Sequence, residues 1–248
     1  MKDLRKLIAL KITAAGDDEA DKTMRLAFKY GASKKYLCCD STIRNKYQEK
    51  WVEYFPEYRK QRAKFLASID TVYRKQIIEL IHEDQKYRSF CKSDFEKIDS
   101  VRKANDYLVL SKLKNLIQEK GYFGYSVIGE DLLWGNNKNN FSEVIFCHME
   151  PDTNKVYFYN VLKQAVMEGE LYPSKYANIV DYDCIKSGKF EQLYGTTVFN
   201  YEGLYAFPLI NLEQVDSLRA EIGLNSWEEY LTMSGTKYND TIRPWENM

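Results

Sequence analysis

From Met1 to about Gln118, apolar residues recur at helical spacing, and only Gly16, Gly31 and Pro56 interrupt the pattern strongly. A front half of this kind must be built mainly from helices. GDDEADKTMRLAFKYG reads as one helix, with acids in its first turn and Gly31 as its stop. The spacing predicts a helix before Pro56, a long one after it, and a third from about Ser93 to Lys120 that stops at Gly121.

After Gly121 the texture changes. GYFGYSVIGEDLLWGNNKNN is rich in Gly and Asn and reads as a loop holding a short helical turn, while FSEVIFCHMEPD suits a buried helix or a strand equally well. Two amphipathic helices follow, one ending at Gly169 and one starting at Pro173 and Ser174. EQLYGTTVFN and GLYAFPLI are β-type segments that predict a hairpin. Two short helices then close the fold, with Asn225 or Ser226 as N-cap. The expected class is mainly α (α+β), a helical bundle-like body with one small β-hairpin near the C-terminus. Its expected regions are a basic helical N-terminal part (1–75), an α+β domain (76–236) and a polar tail (237–248), without internal repeats.

Composition narrows the class of function. The chain has 248 residues, 36 Lys/Arg and 36 Asp/Glu, with 44% hydrophobic residues, which excludes low-complexity disorder and membrane-span readings. Residues 1–64 hold 16 Lys/Arg against 9 Asp/Glu (+7), and the rest hold 20 against 27 (−7). This asymmetry favours docking of the N-terminal region on the acidic C-terminal domain over a nucleic-acid partner. The basic residues are interleaved with acids and apolar residues and never form a run. Lys11 interrupts the first apolar stretch too early for a secretory segment. Five cysteines in an odd, CxxC-free pattern fit reduced thiols in a cytoplasmic protein.

Polar residues that break the apolar pattern mark a candidate site. Tyr73, Ile77, Leu80 and Ile81 form a stripe that continues onto Asp84 and then Arg88, so both charges point inward. Such a pair either knits two helices together or builds a polar site on a helix face. Of only two histidines, His82 lies roughly 160° around the helix from Asp84 and belongs to the surface. His148 ends the VIFC run at the edge of the core. It is either a satisfied core residue or the natural general base. QLYGTT at 192–197 is a weaker signal, a segment able to line a pocket. No phosphate loop, GxGxxG, HExxH, GxSxG or Cys/His ligand spacing occurs, so no metal and no cofactor are expected.

Taken in order, several segments resemble a bacterial family of unassigned function, domain of unknown function 6624, over about residues 76–232. They are DQKYR at 84–88, KLKNLIQEKGYFG, Cys147-His148, AVMEGE, VDYDCIKSG at 180–188, EQLYGTT at 191–197 and VDSLRAEIGLNSWEEYL at 215–231. The resemblance implies matching positions at Asp84, Gln85, Arg88, Gly121, Gly129, His148, Asp181, Gln192, Tyr194, Gly195, Thr196 and Arg219. The chain departs from the family at Tyr122-Phe123 in place of Trp-Pro, at Tyr182 in place of an Arg, and at Thr197 in place of a Gln. It also has Val109 where an Asn is expected. The resemblance then implies a divergent member with changed or lost activity.

Two functional readings follow. In the first, the chain is a hydrolase- or transferase-type enzyme. His148, Asp84 and Asp181 would be catalytic, with Asp84 or Asp181 orienting the imidazole, and Arg88, Gln85, Gln192, Tyr194 and Thr196 would bind substrate. In the second, it is a non-catalytic binding or interaction protein whose polar cluster is structural.

Overall fold

In the computed structural model of the chain, residues 8, 11–12, 17–38, 40–88, 95–129, 142–149, 155–200 and 203–239 are described. The fold is mainly helical, with a two-stranded antiparallel hairpin near the C-terminus. Among the described residues no helix is long and apolar enough to cross a membrane.

The chain divides into two units, Met1–Arg74 with Tyr125–Gly129, and Lys75–Gly124 with Glu130–Met248. The first unit contains α1 (Asp17–Lys29), α2 (Lys34–Leu37), α3 (Ser41–Tyr47), α4 (Trp51–Ser68) and the start of α5 (Thr71–Gln85). Its core gathers Met24, Phe28, Leu37, Ile43, Tyr47, Trp51 and Tyr54. Trp51, Tyr54 and Tyr58 all set their rings within 6.0 Å of Phe28. These edge-to-face contacts explain why Pro56 does not divide the helix as its sequence position predicts. Proline removes one backbone bond near the start of α4, while Trp51 and Tyr54 anchor the turns before it in the core. The break falls instead at Ile69, whose backbone is extended. Asp70 then caps α5, its Oδ1 accepting from Tyr73 N at 2.7 Å.

The short helix α7 (Tyr125–Ile128) also belongs to this first unit. Asp70 N donates to Val127 O at 2.9 Å, Tyr125 Oη donates to Gly31 O at 2.7 Å, and the Tyr125 ring stacks on Phe65 at 4.9 Å.

The second unit carries the rest of α5, then α6 (Phe95–Lys120), a 3-10 segment (Ser142–His148), α8 (Lys155–Met167) and α9 (Pro173–Cys184). The hairpin β1 (Val198–Asn200) and β2 (Leu204–Ala206) and the short helices α10 (Val215–Glu221) and α11 (Trp227–Ser234) complete it. The ambiguous VIFCH run is thus a 3-10 turn, and it packs between α6 and α9. Phe146 on this turn stacks on Phe123 and meets Phe158 edge-on. Ser226 caps α11 in a capping box with Glu229. Residues 237–238, expected in a polar tail, extend the fold: Lys237 N donates to Leu204 O at 2.8 Å, and Tyr238 packs edge-on against Trp227. Residues 240–248 lie outside the described ones, as do Ser93 and residues 130–141.

Gly31 ends α1 with φ +76°, and a Cβ there would lie 2.2 Å from the Phe65 ring. Gly31→Ala therefore combines a left-handed backbone with a clash. It is expected to lower stability by roughly 2–4 kcal/mol in chemical denaturation followed by circular dichroism.

Candidate functional site

The apolar stripe of α5 buries Ile77, Leu80 and Ile81 and leads to Asp84, which is 1% exposed. Helical spacing carries Asp84 into the interior, and the burial of an ionised carboxylate requires partners. It has three. Asp84 Oδ1 accepts from His148 Nδ1 at 2.9 Å and from Arg88 Nη2 at 3.1 Å, and Oδ2 accepts from Gln85 Nε2 at 2.6 Å. Arg88 lies just past the helix end, where its N–H bonds Gln85 O. The same Nη2 reaches Asp106 on α6, which is also buried. Asn105, the neighbour of Asp106, donates to Glu83 O at 3.0 Å and ties α6 to the last turn of α5.

Depth is graded across this cluster. The two carboxylates are closed off, whereas the Arg88 and His148 side chains keep 17% and 18% of their surface exposed. The result is a floor of negative charge with an imidazole and a guanidinium at its rim. Burial pushes the Asp84 carboxyl up, but the hydrogen bonds and charges of His148 and Arg88 outweigh it and hold the group below the ordinary aspartate value. At Asp106 burial wins over the attraction of Arg88, and the carboxyl is raised. Arg88 Nε is buried without a hydrogen-bond partner among the described residues.

With Asp84 accepting at Nδ1, the imidazole carries its proton there and presents Nε2 as the basic nitrogen. That is the arrangement of an oriented general base. Among the described residues no group of three or more His, Cys, Asp or Glu side chains is placed to hold a metal ion. The cation between Asp84 and Asp106 is Arg88 itself.

The other residues singled out from sequence form a second cluster around Asp181 on α9, which is fully buried. Its carboxylate accepts from Leu193 N at 2.8 Å and from Tyr194 N, Thr196 N and Thr196 Oγ1 at 2.7 Å. Burial raises this carboxyl against the pull of those donors. Gln192 is equally saturated: Nε2 donates to Thr197 O and Phe207 O, and Oε1 accepts from Thr197 N. Arg219, 2% exposed, donates to Tyr194 O and Asn225 O beneath the rings of Trp227 and Tyr230.

QLYGTT is therefore not a strand, as its composition suggests, but a loop wrapped on a carboxylate. Asp181 takes the N–H groups that a neighbouring strand would otherwise receive, and Gly195 turns with φ +78°. Only Gln192 keeps a bridge, to Leu209. The structure thus joins Asp84, Gln85, Arg88 and His148 in one network and Asp181, Gln192, Tyr194 and Thr196 in another. No hydrogen bond links the two among the described residues. His82 is exposed, as its position on α5 predicts. The member that sequence reasoning missed is Asp106. Its signal was present, because it stands three and four residues before Val109 and Leu110 on the stripe that continues to Leu113 and Ile117.

No protein-family model, no curated protein and no solved structure matches the chain.

Two outcomes follow for stability. Asp181→Ala strands the four donors now bound to its carboxylate and is expected to cost about 3–5 kcal/mol, read as a lower urea midpoint. The cluster also has a pH signature. A depressed carboxyl stabilises above its unfolded value, and that stability is lost as pH falls from 3.8 through the lower folded value; Asp84 behaves this way. Asp106, whose folded value lies above 3.8, does the opposite and favours the fold increasingly as pH falls towards 3.8. Acid titration of the unfolding free energy should therefore lose its steep low-pH limb in Asp84→Asn and its opposing higher-pH slope in Asp106→Asn.

Proposed function

We propose that the chain is an acid–base enzyme of hydrolase or transferase type, with His148 as general base. The observation that supports this reading best is the 2.9 Å contact of His148 Nδ1 with the buried Asp84 carboxylate at a partly open rim. In this reading Asp84 fixes the tautomer, and Nε2 takes the proton from an attacking water or hydroxyl as the new bond to the substrate forms. The same nitrogen then returns the proton to the leaving group. Gln85 and Arg88 act as positioning residues, since both are committed to Asp84. Arg88 is also held by Asp106, which leaves its charge largely neutralised and argues against a highly charged anionic substrate. Asp181, Gln192, Tyr194 and Thr196 support rather than react, because Asp181 and Gln192 are saturated by their own loop. The proposal includes a reducing cytoplasmic setting and the resemblance to the bacterial family of unassigned function, of which this chain would be a divergent member.

A non-catalytic reading draws on one observation of its own. A single guanidinium shared by two buried carboxylates is also a way of clamping α5 to α6. The two readings separate in a turnover screen with p-nitrophenyl acetate, p-nitrophenyl phosphate and p-nitrophenyl glycosides. Under the enzymatic reading, activity on at least one of them falls by about 10²–10⁴ in His148→Ala, falls clearly in Asp84→Asn, and is unchanged in His82→Ala. Activity that survives His148→Ala on every substrate would sink it. Loss of thermal stability in His148→Ala with no turnover by the unsubstituted chain would favour the clamp.

A further inference from the structure

In the first unit a cavity of about 360 Å³ opens where α2, α3 and the start of α4 meet. That volume is at the lower end of what small-molecule sites occupy. Its walls come from Ile43, Tyr47 and Trp51, whose side chains belong to the core, and its polar groups come from Lys34, Arg44 and Gln48. Among the described residues no carboxylate lines it. The Lys34 ammonium sits 4.8 Å over the Trp51 ring and has no carboxylate partner among the described residues; the Arg44 guanidinium likewise makes no ion pair among them. The Trp51 indole Nε1–H is buried and has no hydrogen-bond partner among the described residues.

These features share one sign. Two cations and the orphaned Trp51 donor belong to residues that line one apolar wall, and no acceptor for them lies among the described residues. A buried donor left without an acceptor is a standing cost that folding normally avoids, and an indole N–H can only donate. An aromatic face already holding an ammonium loses little when that ammonium turns to a full negative charge, because ion pairing is stronger than the cation–ring attraction. We infer that this cavity is a binding site for a small apolar molecule with a single anionic head, such as a medium-chain or aromatic carboxylate. The head would bridge Lys34 and Arg44, and the apolar body would lie on Ile43, Tyr47 and Trp51. Gln48 adds a donor and an acceptor at the rim.

Isothermal titration of the full-length chain tests this, using octanoate, octanol and inorganic phosphate as probes. Octanoate is expected to saturate a single site. Octanol, which lacks the charge, and phosphate, which lacks the apolar body, should each bind at least about tenfold more weakly. Lys34→Gln and Arg44→Gln should each weaken octanoate about five- to tenfold, while Arg44→Lys retains most of the affinity. Lys34 and Arg44 are exposed, so these variants should fold normally, and unchanged melting curves would verify it. The inference is overturned by the absence of saturable octanoate binding, by octanol or phosphate matching octanoate, or by octanoate affinity that ignores both substitutions.

Discussion

The carboxylate of Asp84 organises the second unit's polar interior. An ionised group at 1% exposure is tolerable only if its lone pairs are spoken for, and three side chains from two separate stretches of chain do so. Because the imidazole of His148 is one of them, the need to satisfy Asp84 also dictates where the 3-10 segment ends and which way the histidine faces. Phe146, two residues earlier, is inserted between Phe123 and Phe158 by the same turn. The apolar and polar requirements on this segment agree, and that agreement fixes one orientation of His148.

Asp181 faces the same problem and solves it differently. Its partners are backbone N–H groups and one hydroxyl, all from a single loop, and none of them carries a charge. The carboxylate therefore substitutes for a strand neighbour and fixes the course of the chain, with Arg219 closing the loop from the other side through the Tyr194 carbonyl. A carboxylate that consumes its lone pairs on the backbone holds structure in place. One that spends a lone pair on an imidazole at a rim fixes that ring instead. The two buried aspartates thus divide the polar residues of this unit by role.

How far this was legible from sequence depends on how local the determinants are. Asp84 and Arg88 could be read because α5 has a regular stripe, and a charge on such a stripe has nowhere to go but inward. Asp106 obeys the same rule on α6, but the exposed apolar residues Val101, Tyr107 and Leu108 blur the pattern there. The contact of His148 with Asp84 was not readable, because it joins residues 64 apart in sequence and depends on the 3-10 turn. QLYGTT was misread as a strand because Tyr and Thr fit either conformation, and what decided the matter was a carboxylate on α9. Pro56 misled for a related reason: one lost hydrogen bond is weak against an aromatic core that holds the turns before it.

The charge balance of the Asp84 cluster sets a further electrostatic demand. Two carboxylates and one guanidinium leave a deficit of one positive charge in a place where water cannot supply it. Burial opposes leaving both carboxylates ionised. The raised carboxyl of Asp106 is one expression of that demand, and the bond from His148 to Asp84 is another. The buried Asp84 carboxylate beside His148 is the fixed negative neighbour that the proposed general-base role calls for.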